Sequence, residues 1–320
     1  MKYENKIICG DALEVLKTLD NESIDSCITS PPYYGLRDYG VEGQLGLERT
    51  YNEYITKLCV IFEEVKRVLK REGTIWVNIG DSYSTSHEQG TTDEKMGWKS
   101  GSIGGKNQKK HGRANGGDIQ NKSLMQIPAR FAIEMSRRGW ILRNEIIWYK
   151  PSCMPASVTD RFTVDFEKIF FFVKTKNYWF DSEIVKEDAV DPESYSGRRK
   201  RYAPNMYFAD KKNYARAGSI GENGIDLGVG KTYPKRNKRC VWTINPKPNP
   251  LAHFATYPEE LIETPVKAGC PLGGIIIDPF MGSGTTGLVA KKLNRKYLGI
   301  ELNPEYIKIA EDRLRQEILL

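Results

Sequence analysis

The sequence has little histidine, no paired cysteines and no long apolar run. Its three histidines stand at no metal-ligand spacing from the six cysteines, Cys9, Cys27, Cys59, Cys153, Cys240 and Cys270, and no CxxC occurs. No metal site and no disulfide framework are expected, and the cysteines read as reduced thiols of a cytoplasmic protein. Runs such as Ile169-Phe170-Phe171-Phe172-Val173 are far too short to cross a bilayer. Met1-Lys2-Tyr3-Glu4-Asn5-Lys6 leads straight into a strand, so no signal peptide is expected. Acidic residues are scarce in one place. Residues 195–240 hold twelve Lys/Arg and three Asp/Glu, a local +9 in a chain of net charge +7, which leaves −2 for the remainder. Charge runs are usually solvated surface. Here Tyr195, Tyr202, Tyr207, Phe208, Tyr214 and Tyr233 are interleaved with the basic residues, which favours a nucleic-acid partner.

What is present is organised around Thr29-Ser30-Pro31-Pro32-Tyr33-Tyr34-Gly35. It follows Ser26-Cys27-Ile28, which reads as the end of a buried strand. Neither proline can donate a backbone hydrogen bond or continue a sheet interior. They stiffen the chain just past a strand end, where open α/β sheets hold their ligands. The turn offers carbonyl oxygens, the Ser30 hydroxyl and the aromatic faces of Tyr33 and Tyr34. That suits a flat group carrying an amino donor, such as a nucleobase. A second strand runs from Gly274 through Asp278 into a glycine turn and a helix. Gly282, Gly284 and Gly287 match G-x-G-x-x-G, which by itself fits a dinucleotide fold. No Lys follows the last glycine before Thr, so the turn is not a Walker loop. Glu301 lies 23 residues past Asp278, at the end of the next strand, where an acid can accept hydrogen bonds from two ribose hydroxyls. NAD and S-adenosylmethionine both carry that ribose.

Together and in this order, TSPPYYG and DPFMGSGTT resemble the β group of the amino-group DNA methyltransferases, which use S-adenosylmethionine. The resemblance covers most of the chain apart from its middle third. It implies a Rossmann-like α/β methyltransferase fold, a mostly parallel sheet with helices on both faces plus a smaller target-recognition region. It implies S-adenosylmethionine as cofactor and double-stranded DNA as partner, with a cognate restriction endonuclease as a further candidate partner. It assigns Asp278 to the cofactor's ammonium and places Asp11 near its adenine; Asp11 also suits a helix N-cap. Phe280, Gly282, Gly284 and Thr285 fall on the cofactor side, and His253 and Phe254 match the cofactor-proximal segment more loosely. S-adenosylmethionine has no phosphate to gain from a helix N-terminus, and the TSPPY motif tips the choice toward it. An NAD-dependent oxidoreductase rests on the glycine pattern alone. A catalytically silent DNA-binding protein is opposed by the intact Ser30, Pro31, Pro32 and Tyr33.

The chemistry is transfer to an exocyclic amine whose lone pair is delocalised into the ring. Acceptors on the amino hydrogens draw the nitrogen toward tetrahedral geometry. Ser30 Oγ and the Pro31 carbonyl are the natural acceptors, and Tyr33 is expected to stack on a base extruded from the duplex. Positioning then supplies most of the catalysis. No Pro-Cys dipeptide occurs, which argues against carbon-5 cytosine enzymes. In the family that the motifs resemble, Ser at position 30 goes mostly with cytosine N4 and Asp or Asn with adenine N6. Cytosine is favoured, with adenine as the alternative.

The 320 residues are 39% hydrophobic, enough for one large domain and a smaller module. Periodicity predicts helices over 12–19, 51–70, 128–138, 285–293 and 305–314, and one running from about 252 to 269. Gly73 is expected to break the second helix, with a strand over 74–79 ending near Asp81, a pocket or turn residue. Residues 166–174 and 178–180 read as a hairpin. The polar, Gly-rich stretch 84–122 reads as a mobile flap. The expected organisation is a catalytic part over 1–181 and 251–320, with target recognition over 182–250. Arg198, Arg199, Lys200, Arg201, Lys235 and Arg236 are the expected DNA contacts.

Overall fold

The computed structural model describes residues 3–85, 116–153, 155–189, 234–247 and 257–316. The chain divides into two compact units, one made of Met1–Asp181 with Cys240–Leu320 and one of Ser182–Arg239. The strands in chain order are β1 (Lys6–Cys9), β2 (Ile24–Thr29), β3 (Leu69–Ile79), β4 (Ile141–Tyr149), β5 (Phe166–Val173), β6 (Glu187–Asp188), β7 (Lys235–Arg236), β8 (Val241–Thr243), β9 (Ile275–Asp278) and β10 (Lys296–Glu301). In the larger unit eight of them form one sheet in the order β1-β10-β9-β2-β3-β5-β4-β8. Only β5 runs against its neighbours. In the smaller unit β6 and β7 pair as a short antiparallel ribbon.

Both faces of the sheet are covered, which is why Ile275-Ile276-Ile277 is apolar throughout rather than alternating. Helices α1 (Ala12–Lys17), α2 (Tyr51–Val68) and α3 (Ile127–Arg137) share one core with Cys27, Ile75 and Ile277. Helices α4 (Glu259–Gly269), α5 (Thr285–Lys292) and α6 (Pro304–Gln316) share the other with Ile28, Trp76 and Ile276. Neighbouring residues of one strand thus feed opposite cores, as the pleat requires. Local signals set the helix starts. Thr50 Oγ1 accepts from Glu53 N at 3.2 Å to open α2, and Asn303 Oδ1 accepts from Glu305 N at 2.9 Å at the start of α6.

The topology fixes where a ligand goes. β1, β10, β9, β2, β3 and β4 end at one edge of the sheet, and the reversed β5 begins there. That edge is the ligand side of an open α/β sheet.

Three expectations need correction. Helix α2 stops at Val68 and β3 begins at Leu69, so Gly73 lies inside a strand. It sits at the register slip where Ile24 pairs with Leu69 but Ser26 with Thr74, and a β-carbon there would press on the Asp25 carbonyl at 2.9 Å. The hairpin over 166–180 does not form. Phe166–Val173 is inserted between β3 and β4, and Tyr178 and Phe180 instead pack their rings on Phe171, at 5.8 and 5.6 Å. Of the two readings of Asp81 the capping one holds: its Oδ1 accepts from Ile127 N at 3.0 Å, at the start of α3, where Gln126 is left-handed (φ 57°). Val241–Thr243 is an edge strand of the main sheet, with Trp242 buried against the second core. Most of the stretch expected to be a flap, residues 86–115, lies outside the described residues. Its feet are joined by Ser84 N to Ser123 O at 2.8 Å and Lys122 N to Ser84 O at 2.9 Å.

Candidate active site

A cavity of about 390 Å³ opens at the ligand edge. One half of it is built by the turn after β9. Gly282 and Gly284 hold φ of +52° and +84°, conformations that glycine adopts without a Cβ penalty. At Gly284 the space is also taken, because an added β-carbon would lie 2.8 Å from Ala310 Cβ of α6. The Gly282 N–H donates to Glu301 Oε2 at 2.7 Å, and Asn303 N–H donates to Oε1 at 2.8 Å. Two backbone donors therefore fix the carboxylate at the end of β10, and burial pushes its pKa up. Glu301, Asp11, Phe280, Gly282 and Thr285 all line the cavity. Asp11 also caps α1, accepting from Glu14 N at 3.0 Å, while it lines the cavity.

The turn is a poor cradle for a pyrophosphate. The Gly282 N–H is bound to Glu301, and the Gly284 N–H donates to Met281 O at 3.0 Å. What remains is an anchored acid beside an aromatic ring. That donor and acceptor set fits a ribose-bearing group without phosphate, as S-adenosylmethionine is.

Asp278 departs from expectation. It is 1% exposed and does not line the cavity. Its carboxylate accepts from Thr29 Oγ1 at 2.5 Å, Thr286 Oγ1 at 2.5 Å, Phe280 N at 3.0 Å and Tyr257 OH at 3.2 Å. Burial raises its pKa against the pull of these donors. Four protein groups occupy the acid expected to meet an ammonium, so its observed role is to fasten the turn. Thr29 belongs to the proline motif, 249 residues away in the chain. This bond joins the two motifs directly. Gly284 likewise stands behind the cavity wall rather than in it.

The other half of the cavity carries Ser30, Pro31, Pro32 and Tyr33. Tyr34 does not offer a second aromatic face; it is 1% exposed and packs on Tyr54 at 5.5 Å. The Tyr33 ring leans on Gly80, where a β-carbon would stand 2.5 Å from its Cε2. Its hydroxyl donates to Glu167 Oε2 at 2.7 Å. Ser30 Oγ lies 3.3 Å from that hydroxyl and 3.4 Å from Asn78 Oδ1. Asn78 Nδ2 donates to the same Glu167 oxygen at 3.1 Å. Lys150 Nζ pairs with Glu167 Oε1 and stands 4.3 Å from the Trp148 ring centre. Burial and the Glu167 charge push the Tyr33 phenol well above its ordinary pKa, so it stays a donor.

Asn78, Lys150, Glu167 and Tyr257 all line the cavity, and none stands out in the sequence. Asn78 lies near the end of β3, Lys150 follows β4 and Glu167 opens β5. The end of β4 brings Lys150 to this edge, and the reversal of β5 brings Glu167 beside Ser30. Of the remaining expected residues, His253, Phe254 and Arg198 to Arg201 lie outside the described residues. Lys235 is exposed in the smaller unit, and Arg236 there pairs with Glu187 at 3.0 Å, which offsets its charge.

The comparisons agree with this geometry. A family model described as DNA methylase matches residues 24–312. The type II methyltransferase M.SmaI of Serratia marcescens is 40% identical over 97% of this chain and 90% of its own. M.XycI of Xanthomonas campestris pv. cyanopsidis is 39% identical over 96% and 86%. Among solved structures, the PvuII DNA methyltransferase (cytosine-N4-specific) has the same fold, with a TM-score of 0.60 at 19% identity over 97% of this chain and 86% of that one. A DNA modification methylase of Thermus thermophilus in complex with S-adenosyl-L-methionine superposes with a TM-score of 0.57 at 21% identity over 98% and 94%. The chain belongs to the N6/N4 amino-group DNA methyltransferases of the type II kind, enzymes that take S-adenosylmethionine as cofactor and act on DNA.

Proposed function

We propose that this enzyme methylates the exocyclic N4 of a cytosine turned out of duplex DNA at a specific site. The observation that carries the reading is that Ser30-Pro31-Pro32-Tyr33 and the Gly282–Glu301 bay line one cavity. The PvuII enzyme, which shares the fold, is described as cytosine-N4-specific, and Ser30 is a neutral acceptor of the kind expected for that base.

Glu301 holds the ribose hydroxyls, with Gly282 and Asn303 keeping its oxygens in place. Asp11 and Phe280 flank the same bay. When bound, S-adenosylmethionine supplies an electrophilic methyl on a sulfonium. Ser30 Oγ and the Pro31 carbonyl take the amino hydrogens and free the nitrogen lone pair. The unwelcoming backbone of the two prolines keeps the turn from rearranging around the base. Tyr33 bounds the base with its ring while its hydroxyl holds Glu167. The basic segment of the smaller unit, with Arg198 to Arg201 and Lys235, carries affinity and site choice on the duplex; a cognate endonuclease would share that site.

The test is nucleoside analysis by mass spectrometry of duplex DNA incubated with the purified protein and S-adenosylmethionine. N4-methyldeoxycytidine in a single sequence context is expected. N6-methyldeoxyadenosine as the sole product would overturn the base assignment.

A further inference from the structure

Amino transfer leaves a proton to be disposed of, and the acceptors named so far are poor bases. A serine hydroxyl and a peptide carbonyl can hold a hydrogen but cannot keep it. The carboxylates that line the cavity among the described residues are Asp11, Glu167 and Glu301. Asp11 caps α1, and Glu301 is engaged by Gly282 and Asn303 on the cofactor side. Glu167 alone is linked to the proline turn. The path runs from Ser30 Oγ to the Tyr33 hydroxyl at 3.3 Å and on to Glu167 Oε2 at 2.7 Å.

We propose that Glu167 is the terminal proton acceptor of the transfer, reached from the base through the Ser30 and Tyr33 hydroxyls. The proposal rests on the reading that Ser30 faces the base. The atoms balance as follows. The nitrogen–methyl bond forms as the sulfonium–methyl bond breaks, and the positive charge passes to the amine. An N–H bond of the amine breaks, and its proton goes to Ser30 Oγ. Ser30 gives its own proton to the Tyr33 oxygen, and Tyr33 gives its own to Glu167. Glu167 ends as the neutral acid, and no other reactant is needed.

The surroundings of Glu167 suit that task. Three groups face it from three elements: Lys150 after β4, Tyr33 after β2 and Asn78 in β3. Lys150 is the charged partner. Asn78 donates to the oxygen that Tyr33 also addresses, which holds that oxygen toward the phenol. The Tyr33 phenol stays protonated at rest, so the relay starts with its hydrogens in place. Glu167 and Lys150 side chains are each 18% exposed, which gives the accepted proton a way out to solvent. Glu167 acts through other groups and is a positioning residue in this scheme.

The experiment is single-turnover transfer to cognate duplex DNA by the full chain, with S-adenosylmethionine affinity measured by calorimetry on the same preparations. Glu167→Gln should slow transfer by roughly 10²-fold, within the range of general acid–base contributions, and leave cofactor affinity unchanged. Tyr33→Phe removes only the relay hydroxyl and should slow transfer comparably. The double variant should be no slower than the slower single one, because the two substitutions interrupt one path. A merely structural role would weaken cofactor binding as well and let the two effects multiply. Should Glu167→Gln fail to fold with Lys150 unpaired, Tyr33→Phe carries the test, since wild-type transfer in it overturns the relay. Ser30→Ala separates the readings. Loss of turnover there with a wild-type rate in Glu167→Gln overturns the relay alone, whereas full turnover in Ser30→Ala overturns the base assignment beneath it.

Discussion

Thr29 carries more than its place in a proline motif suggests. Its hydroxyl is one of the donors that satisfy the buried Asp278, and through it the base turn and the cofactor turn keep their spacing. Thr29→Val keeps the shape and removes the donor. Leaving a buried acceptor short of a partner costs about 1–3 kcal/mol, so urea unfolding should show a loss of that order; no loss would mean that the other three donors suffice. Glu301 makes a pH prediction. Under the proposed reading it accepts from the ribose hydroxyls, most strongly as the ionised acid, and burial raises its pKa. Acidification should therefore weaken S-adenosylmethionine binding at a higher pH than an ordinary glutamate would. Calorimetry across the acid range should show that limb in the wild type and a flat response in Glu301→Gln. An equal limb in both would place the titrating group elsewhere.

Among the elements, the glycine turn and α6 hold each other in place. Gly284 is left-handed and abuts Ala310, so Gly284→Ala combines backbone strain of about 1–2 kcal/mol with a steric push on α6. A lowered midpoint in thermal unfolding is expected, and an unchanged one would show that α6 can step back freely. Most of these elements are legible in the sequence because their signals are local. The Tyr51 helix shows its apolar stripe and its Thr50 cap, and the Glu301 strand is followed by Asn303-Pro304. Pairing partners are not local. Phe166–Val173 carries no mark saying that it will insert between β3 and β4, so the nearby aromatics Tyr178 and Phe180 suggest a hairpin that does not form. The same gap hides half of the candidate site. Ser30 and Tyr33 sit in a recognisable string, whereas Glu167 joins them only through the reversal of β5. Asp278 shows the converse: its position is readable from the motif, but its burial under Thr29 and Tyr257 depends on segments outside that motif.

For the molecule as a whole, the charge distribution and the cavity divide the work. The +9 segment 195–240 is set in a chain whose remainder is −2. If it meets DNA phosphates, replacing Arg198, Arg199, Lys200 and Arg201 with alanine should flatten the salt dependence of DNA binding, by about one unit of slope for each phosphate no longer neutralised. S-adenosylmethionine affinity should not change, and an unchanged slope would move the DNA surface elsewhere. The central claim is that one cavity holds two jobs, cofactor at Glu301 and base at Ser30. It is tested most directly by measuring cofactor affinity and single-turnover transfer side by side in Ser30→Ala and Glu301→Ala. Ser30→Ala should bind S-adenosylmethionine normally and transfer slowly. Glu301→Ala should lose roughly tenfold or more in affinity, the equivalent of a charge-assisted hydrogen bond worth about 1.5–3 kcal/mol. Normal transfer with impaired cofactor binding in Ser30→Ala would contradict the account.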